Sequence, residues 1–138
     1  VNFTDTTVTA GKTYAYRVQA INGAGSSAFS NTATVTFINA PSAPANVTAT
    51  AVRFNANNAR VTIDWTDMSN NETSFVIQRA TDSNFTVNLV TATVKADTIA
   101  FKTGNLTRNV PFYFRIQAVN GAGVSPWVQA QPFPVITP

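Results

Sequence analysis

The chain has 138 residues, of which 44 % are hydrophobic and 11 % charged, and nine basic against six acidic side chains leave a net charge of +3. That length holds one ordinary domain and part of another. With neither Cys nor His in the chain, disulfide frameworks, Cys/His zinc sites and the common nucleophile–base pairs of covalent catalysis are all excluded.

The basic residues are scattered from Lys12 to Arg115 with no two adjacent, so the basic stripe of a nucleic-acid site is missing. No apolar run approaches the ~20 residues of a membrane-spanning helix, and membrane insertion is not expected. No signal peptide opens the chain, which reads as starting inside a domain. A Thr- and Val-rich chain without sustained helical periodicity leans towards strand.

The first distinctive run is Tyr14 to Gly25, YAYRVQAINGAG. It returns as FYFRIQAVNGAG from Phe112 to Gly123, with seven identical positions, Arg17 falling on Arg115, 98 residues on. The offset holds upstream, where Phe3 falls on Phe101, Val8 on Leu106 and Thr9 on Thr107. A period near 100 is too long for a solenoid unit and matches one β-sandwich domain. Residues 1–38 are therefore expected to be the C-terminal part of a module, holding a remnant and its last two strands. Asn39 to Ala45, with Pro41 and Pro44, reads as a short stiff linker, and residues 46–138 as a complete module.

Within that module residues 46–52 are predicted to form the first strand. Arg60 to Trp65 alternates, with Val61, Ile63 and Trp65 on one face. Asp67 to Asn71 has loop chemistry. A strand over Thr73 to Ala80 turns Phe75 and Ile77 inward. Weaker strands are predicted within 85–95 and over Thr98 to Lys102. The long strand from Phe112 sets Phe112, Phe114, Ile116 and Ala118 inward and Tyr113 and Arg115 outward, before a Gly turn. A final strand runs from Trp127 towards Val135, its prolines suiting an edge. About seven short strands predict an all-β antiparallel sandwich.

These residues carry a resemblance. PSAPANVTAT at the domain start, VTIDWTDMSNNETSFVIQRA around the tryptophan and the YAYRVQAINGAGSSAFSN block are similar to fibronectin type III domains, especially the cysteine-free copies of prokaryotic secreted proteins. The resemblance covers essentially the whole chain and implies an immunoglobulin-like sandwich. It implies that Trp65 is the core tryptophan between the sheets, and that Tyr14 is the tyrosine-corner residue, its hydroxyl bonding back upstream where Val8 and Gly11 shape the corner. The structural core is then expected at Trp65, Tyr14, Tyr16, Ile63, Phe75, Ile77, Phe112, Phe114 and Ile116. The complete module departs from the pattern, with Phe112 at the corner and Asn109 in place of the glycine. That hydrogen bond, typically ~1 kcal/mol, is lost there, leaving Leu106 and Phe112 to pack at the corner.

Candidate sites are few. Asp64, Asp67 and Glu72, with Asn70 and Asn71, offer oxygen ligands suited to Ca²⁺. The preferred reading is structural: Asp67 and Asn70 cap loop N–H groups and Glu72 pairs with an arginine such as Arg79. No metal, cofactor or catalytic residue is therefore expected, and six carboxylates in a small sandwich offer no glycosidase cleft. The integrin-type Arg-Gly-Asp motif is absent from the loop after Asn120. Tyr113 and Trp127 are candidate ligand-facing aromatics, against a simpler reading in which Trp127 covers Arg115. Asn2, Asn46, Asn71, Asn84 and Asn105 each begin an Asn-x-Thr glycosylation acceptor.

The expected function is that of a non-catalytic structural or interaction module of a secreted or cell-surface multi-domain protein: a spacer, adhesion segment or assembly unit. Its expected partners are neighbouring modules, other proteins, cell-surface polysaccharide or copies of itself. An accessory, carbohydrate-contacting module of an extracellular hydrolase is the alternative.

Overall fold

The computed structural model describes residues 2–138, all of them strand, turn or loop. They divide into two compact units, one ending at Asn39 and one beginning at Ala40. Among the described residues no helix is long and apolar enough to cross a membrane.

The C-terminal unit is a two-sheet sandwich. Its first sheet holds β5 (Ala45–Arg53), β6 (Asn58–Thr66), β9 (Ala100–Lys102) and β10 (Leu106–Thr107), with β5 antiparallel to one side of β6 and both short strands on the other. The second sheet holds β7 (Ser74–Ala80), β8 (Val90–Lys95) and the long β11 (Pro111–Asn120). Three short segments line the free side of β11: β12 (Gly123–Val124), β13 (Val128–Gln129) and β14 (Val135–Ile136). The chain end thus follows one edge in pieces where a single final strand was predicted. Prolines 132 and 134 lie between β13 and β14, and a proline has no N–H for a ladder.

Period-two patterning built the core. Val61, Ile63 and Trp65 of β6 meet Phe75 and Ile77 of β7 and Phe112, Phe114, Ile116 and Ala118 of β11, all buried. Trp65 packs against Phe75 with ring centroids 5.4 Å apart and planes tilted by 59°, within the range where aromatic pairs attract. Gln131 joins the two sheets at one edge: its carbonyl accepts the Ala49 N–H at 2.8 Å and its N–H donates to the Val47 carbonyl at 3.0 Å.

Around the stretch read as a short stiff linker, 39–45, the second compact unit begins at Ala40, Pro41 and Pro44 are buried, and β5 starts at Ala45. Of the region 85–95, only Val90–Lys95 is strand. The residues before it are held as a loop by Asp82, whose carboxylate accepts the N–H groups of Thr86 at 2.9 Å and Val87 at 2.7 Å. Those bonds hold the Asp82 carboxyl below the usual carboxylate range.

The N-terminal unit contains β1 (Thr13–Tyr16) paired antiparallel with β4 (Ala33–Thr36), and a small hairpin of β2 (Ile21–Asn22) with β3 (Gly25–Ser26). The expected remnant strand before residue 13 is not formed, and none of residues 2–39 is buried. Tyr14 and Tyr16 are half-buried, their rings stacked at 6.4 Å. They do not sit in a core, since none of the described residues of this unit is buried.

Candidate functional site

The corner before the long strand is built twice, in two ways. In the N-terminal unit the Thr9 N–H donates to the Tyr14 hydroxyl oxygen at 2.7 Å, five residues back along the chain. Gly11 holds φ +76 there, a conformation that costs glycine little. In the C-terminal unit Asn109 takes the equivalent left-handed position at φ 57, which asparagine tolerates better than most residues. Phe112 offers no hydroxyl. Thr137, fully buried, supplies one from the chain end: it donates to the Thr107 carbonyl at 2.8 Å and accepts the Val110 N–H at 3.2 Å. The sequence reading missed this residue, because its partners lie some thirty positions away and no local pattern marks them.

Three carboxylates converge beside the loop that follows β6. Asp67, Glu72 and Asp97 each place an oxygen within 4.8 Å of the other two. Asp64 is not among them; it lies on β6, exposed, opposite Ala100 and Thr48. Asp97 comes from the turn after β8 and holds φ 59. Glu72 is buried, and its Oε1 accepts the Asp97 N–H at 3.2 Å. Its Oε2 is inaccessible to solvent and has no hydrogen-bond partner. Burial pushes this carboxyl up, but the N–H groups of Glu72 and Asp97, with the side chains of Ser69 and Asp67, outweigh it and leave the pKa below the ordinary glutamate value. The Ser69 hydroxyl also donates to Asn71 Oδ1 at 2.9 Å, and the Ser69 N–H donates to Asp67 Oδ1 at 2.9 Å.

The expected Glu72–Arg79 pair is not formed. Arg79 faces a different environment, with its guanidinium carbon 5.4 Å from the Phe112 ring centre and its Nε buried without a partner. Desolvation lowers its pKa. It borders a cavity of about 110 Å³ with Ile77, Phe101 and Phe114 on other walls, smaller than the roughly 300 Å³ at which small-molecule sites begin.

Tyr113 and Trp127 are parts of one packed ladder. The Arg115 guanidinium lies between Trp127, 4.4 Å from its ring centre, and the buried Phe85, at 4.1 Å. Gln78 Oε1 accepts from Arg115 Nη2 at 2.6 Å and Nε at 2.8 Å. Phe133 stacks near Phe85 and meets Tyr113 edge-on at 4.8 Å. One face of Trp127 is thus occupied by a cation from its own sheet. All five acceptor asparagines are exposed, but two carry structural bonds: Asn46 Nδ2 donates to Thr66 Oγ1 at 3.2 Å, and Asn105 Oδ1 accepts from Arg60 at 3.1 Å.

A family model for the fibronectin type III domain matches residues 42–132, well over half of the chain. Among solved structures, the chicken CNTN1 FN1–FN3 domains are similar at 22 % identity and a TM-score of 0.66, over 98 % of this chain and 44 % of that one. Titin domains match at 20 % identity and a TM-score of 0.61, over 94 % of this chain and 42 % of theirs. The fn3 domain of human collagen alpha-1(XX) matches at 15 % identity and a TM-score of 0.55, over 71 % of this chain and 86 % of that one. The chain spans less than half the length of the first two, and at these identities the likeness establishes the fold alone. No curated protein matches the chain in sequence.

Proposed function

Because the chain belongs to the fibronectin type III domain family, whose domains are generally non-catalytic structural and interaction modules, we propose that it is a spacer and assembly segment of a secreted or cell-surface multi-domain protein. The repeat at an offset of 98 residues carries this reading. It supports reading residues 1–38 as the C-terminal part of one module, 39–45 as a linker and 46–138 as a second module of a tandem array. A stiff sandwich in such an array sets the distance between whatever stands on either side.

The hydrolase-accessory alternative draws less support, because Arg115 occupies the Trp127 face that a sugar ring would need. A module swap within the parent protein tests the proposal. Deleting residues 40–138 is expected to impair the parent's function, and replacing them with an unrelated sandwich module of the same length to restore it. Failure of the replacement to restore function would assign a specific binding surface to this module and overturn the spacer reading.

A further inference from the structure

We propose that Asp67, Glu72 and Asp97 form a Ca²⁺ site that ties the loop after β6 to the turn after β8. Two independent observations carry it. The first is the convergence of three carboxylate oxygens to within 4.8 Å of one another, although Asp97 is 25 residues from Glu72 in sequence. The second is the state of Glu72. The residue is only 8 % exposed, and its Oε2 is inaccessible to solvent and has no hydrogen-bond partner. Among the described residues none of the three carboxylates is ion-paired with a Lys or Arg.

A buried carboxylate oxygen without a donor is costly, and like charges at this range oppose one another. A Lys or Arg normally relieves such a cluster, and here none does. A divalent cation meets both needs at once, since it supplies the partner for Oε2 and neutralises its neighbours. All the donors are hard oxygens, which selects Ca²⁺ or Mg²⁺ over softer metals. Oxygens bound to one Ca²⁺, at 2.3–2.6 Å each, lie at most roughly 5 Å apart, and the observed group fits inside that limit. Ca²⁺ accepts irregular six- to eight-fold coordination completed by water, whereas Mg²⁺ demands near-ideal octahedral geometry that loop carboxylates from two separate segments do not offer. Three side-chain ligands on exposed loops place the affinity in the weak class, roughly 10⁻⁴–10⁻³ M.

The sequence hid this arrangement, since Asp64 stands nearer to Asp67 and Glu72 along the chain than Asp97 does. Strand alternation turns Asp64 away, while the pairing of β7 with β8 brings the turn carrying Asp97 to Glu72.

The test uses the whole chain, stripped with EDTA and dialysed. Calorimetric titration with CaCl₂ and thermal unfolding in about 10 mM CaCl₂ are compared with MgCl₂ and with NaCl of equal ionic strength. The expected result is saturable heat with Ca²⁺ and an upward shift in Tm that neither control reproduces. Asp97→Asn is the first variant, because asparagine tolerates the left-handed backbone at this turn. Asp67→Asn is the second, because its amide oxygen can still accept the Ser69 N–H. Each removes one of three opposing charges, and is expected to keep or raise the Tm in EDTA and to weaken Ca²⁺ binding by roughly ten-fold or more. Absence of Ca²⁺ heat, a Tm shift equal to that in NaCl, or undiminished binding in both variants would overturn the site. Equal binding of Mg²⁺ would overturn the assignment to Ca²⁺.

Discussion

Two stretches of the molecule, Tyr14 to Gly25 and Phe112 to Gly123, share seven of twelve residues and yet differ in structure. In the C-terminal unit the second stretch is one unbroken ten-residue strand, paired along β7 from Tyr113 opposite Ala80 to Val119 opposite Ser74. In the N-terminal unit the first stretch is strand in pieces, at Thr13–Tyr16, Ile21–Asn22 and Gly25–Ser26, and residues 17–20 are unpaired as a ladder. Val18 is 73 % exposed where its equivalent Ile116 is 0 % exposed. What is missing around residues 17–20 is a strand like β7 alongside and a sheet opposite.

What survives in both copies is equally instructive. The Ala20 N–H donates to Ser27 Oγ at 3.0 Å, and the Ala118 N–H to Ser125 Oγ at 2.9 Å. The Ala24 N–H donates to Asn22 Oδ1 at 2.9 Å, and the Ala122 N–H to Asn120 Oδ1 at 2.8 Å. Arg17 sits over Phe29 at 3.7 Å as Arg115 sits over Trp127 at 4.4 Å. These contacts span twelve residues or fewer, so they need only the local chain. The long strand instead pairs with β7, whose residues lie more than thirty positions back along the sequence.

Cutting the side chains that differ most between the copies gives the largest expected effect. Ile116→Ala should destabilise the C-terminal unit by about 2–5 kcal/mol, through lost burial and the cavity left behind. Val18→Ala, at an exposed position, should stay within about 0.5 kcal/mol. Denaturant unfolding followed by tryptophan fluorescence reads the first change, since both tryptophans lie in that unit. Amide hydrogen exchange sharpens the contrast: residues 113–119 should be protected and residues 17–20 should exchange fast. Equal protection of the two stretches would break the comparison.

The corners give the next effect. Thr137→Val keeps the shape but removes the hydroxyl, leaving the Thr107 carbonyl and the Val110 N–H without it. A loss of about 1–3 kcal/mol is expected in the same unfolding assay. A neutral result would mean that water reaches the corner and that Thr137 does not replace the missing tyrosine hydroxyl.

The smallest effect is in the acid limb of stability. The folded Glu72 pKa lies below its ordinary value of 4.5, so its contribution is present in full above that value. It is lost as pH falls through the lowered folded pKa. In EDTA, Glu72→Gln should therefore flatten the fall in stability below about pH 4.5. An unchanged acid limb would show that the N–H groups of Glu72 and Asp97 do not favour the ionised carboxylate in solution.

Much of this protein was determined by its sequence alone. Alternation in Arg60–Trp65 and Phe112–Ala118 set which side chains face inward, because the strand period is two whatever the neighbours. The local Ser and Asn bonds of the repeated stretch form in both copies. Tertiary structure decided the rest. Whether YAYRVQAINGAG becomes one strand or several pieces depends on a neighbouring strand being present. Thr137 became a corner residue, and Asp97 rather than Asp64 joined Asp67 and Glu72, through sheet pairing between distant segments. The physical reason is the same each time: local hydrogen bonds and periodicity can be read from the chain, while buried partners supplied from afar exist only once the sheets have closed.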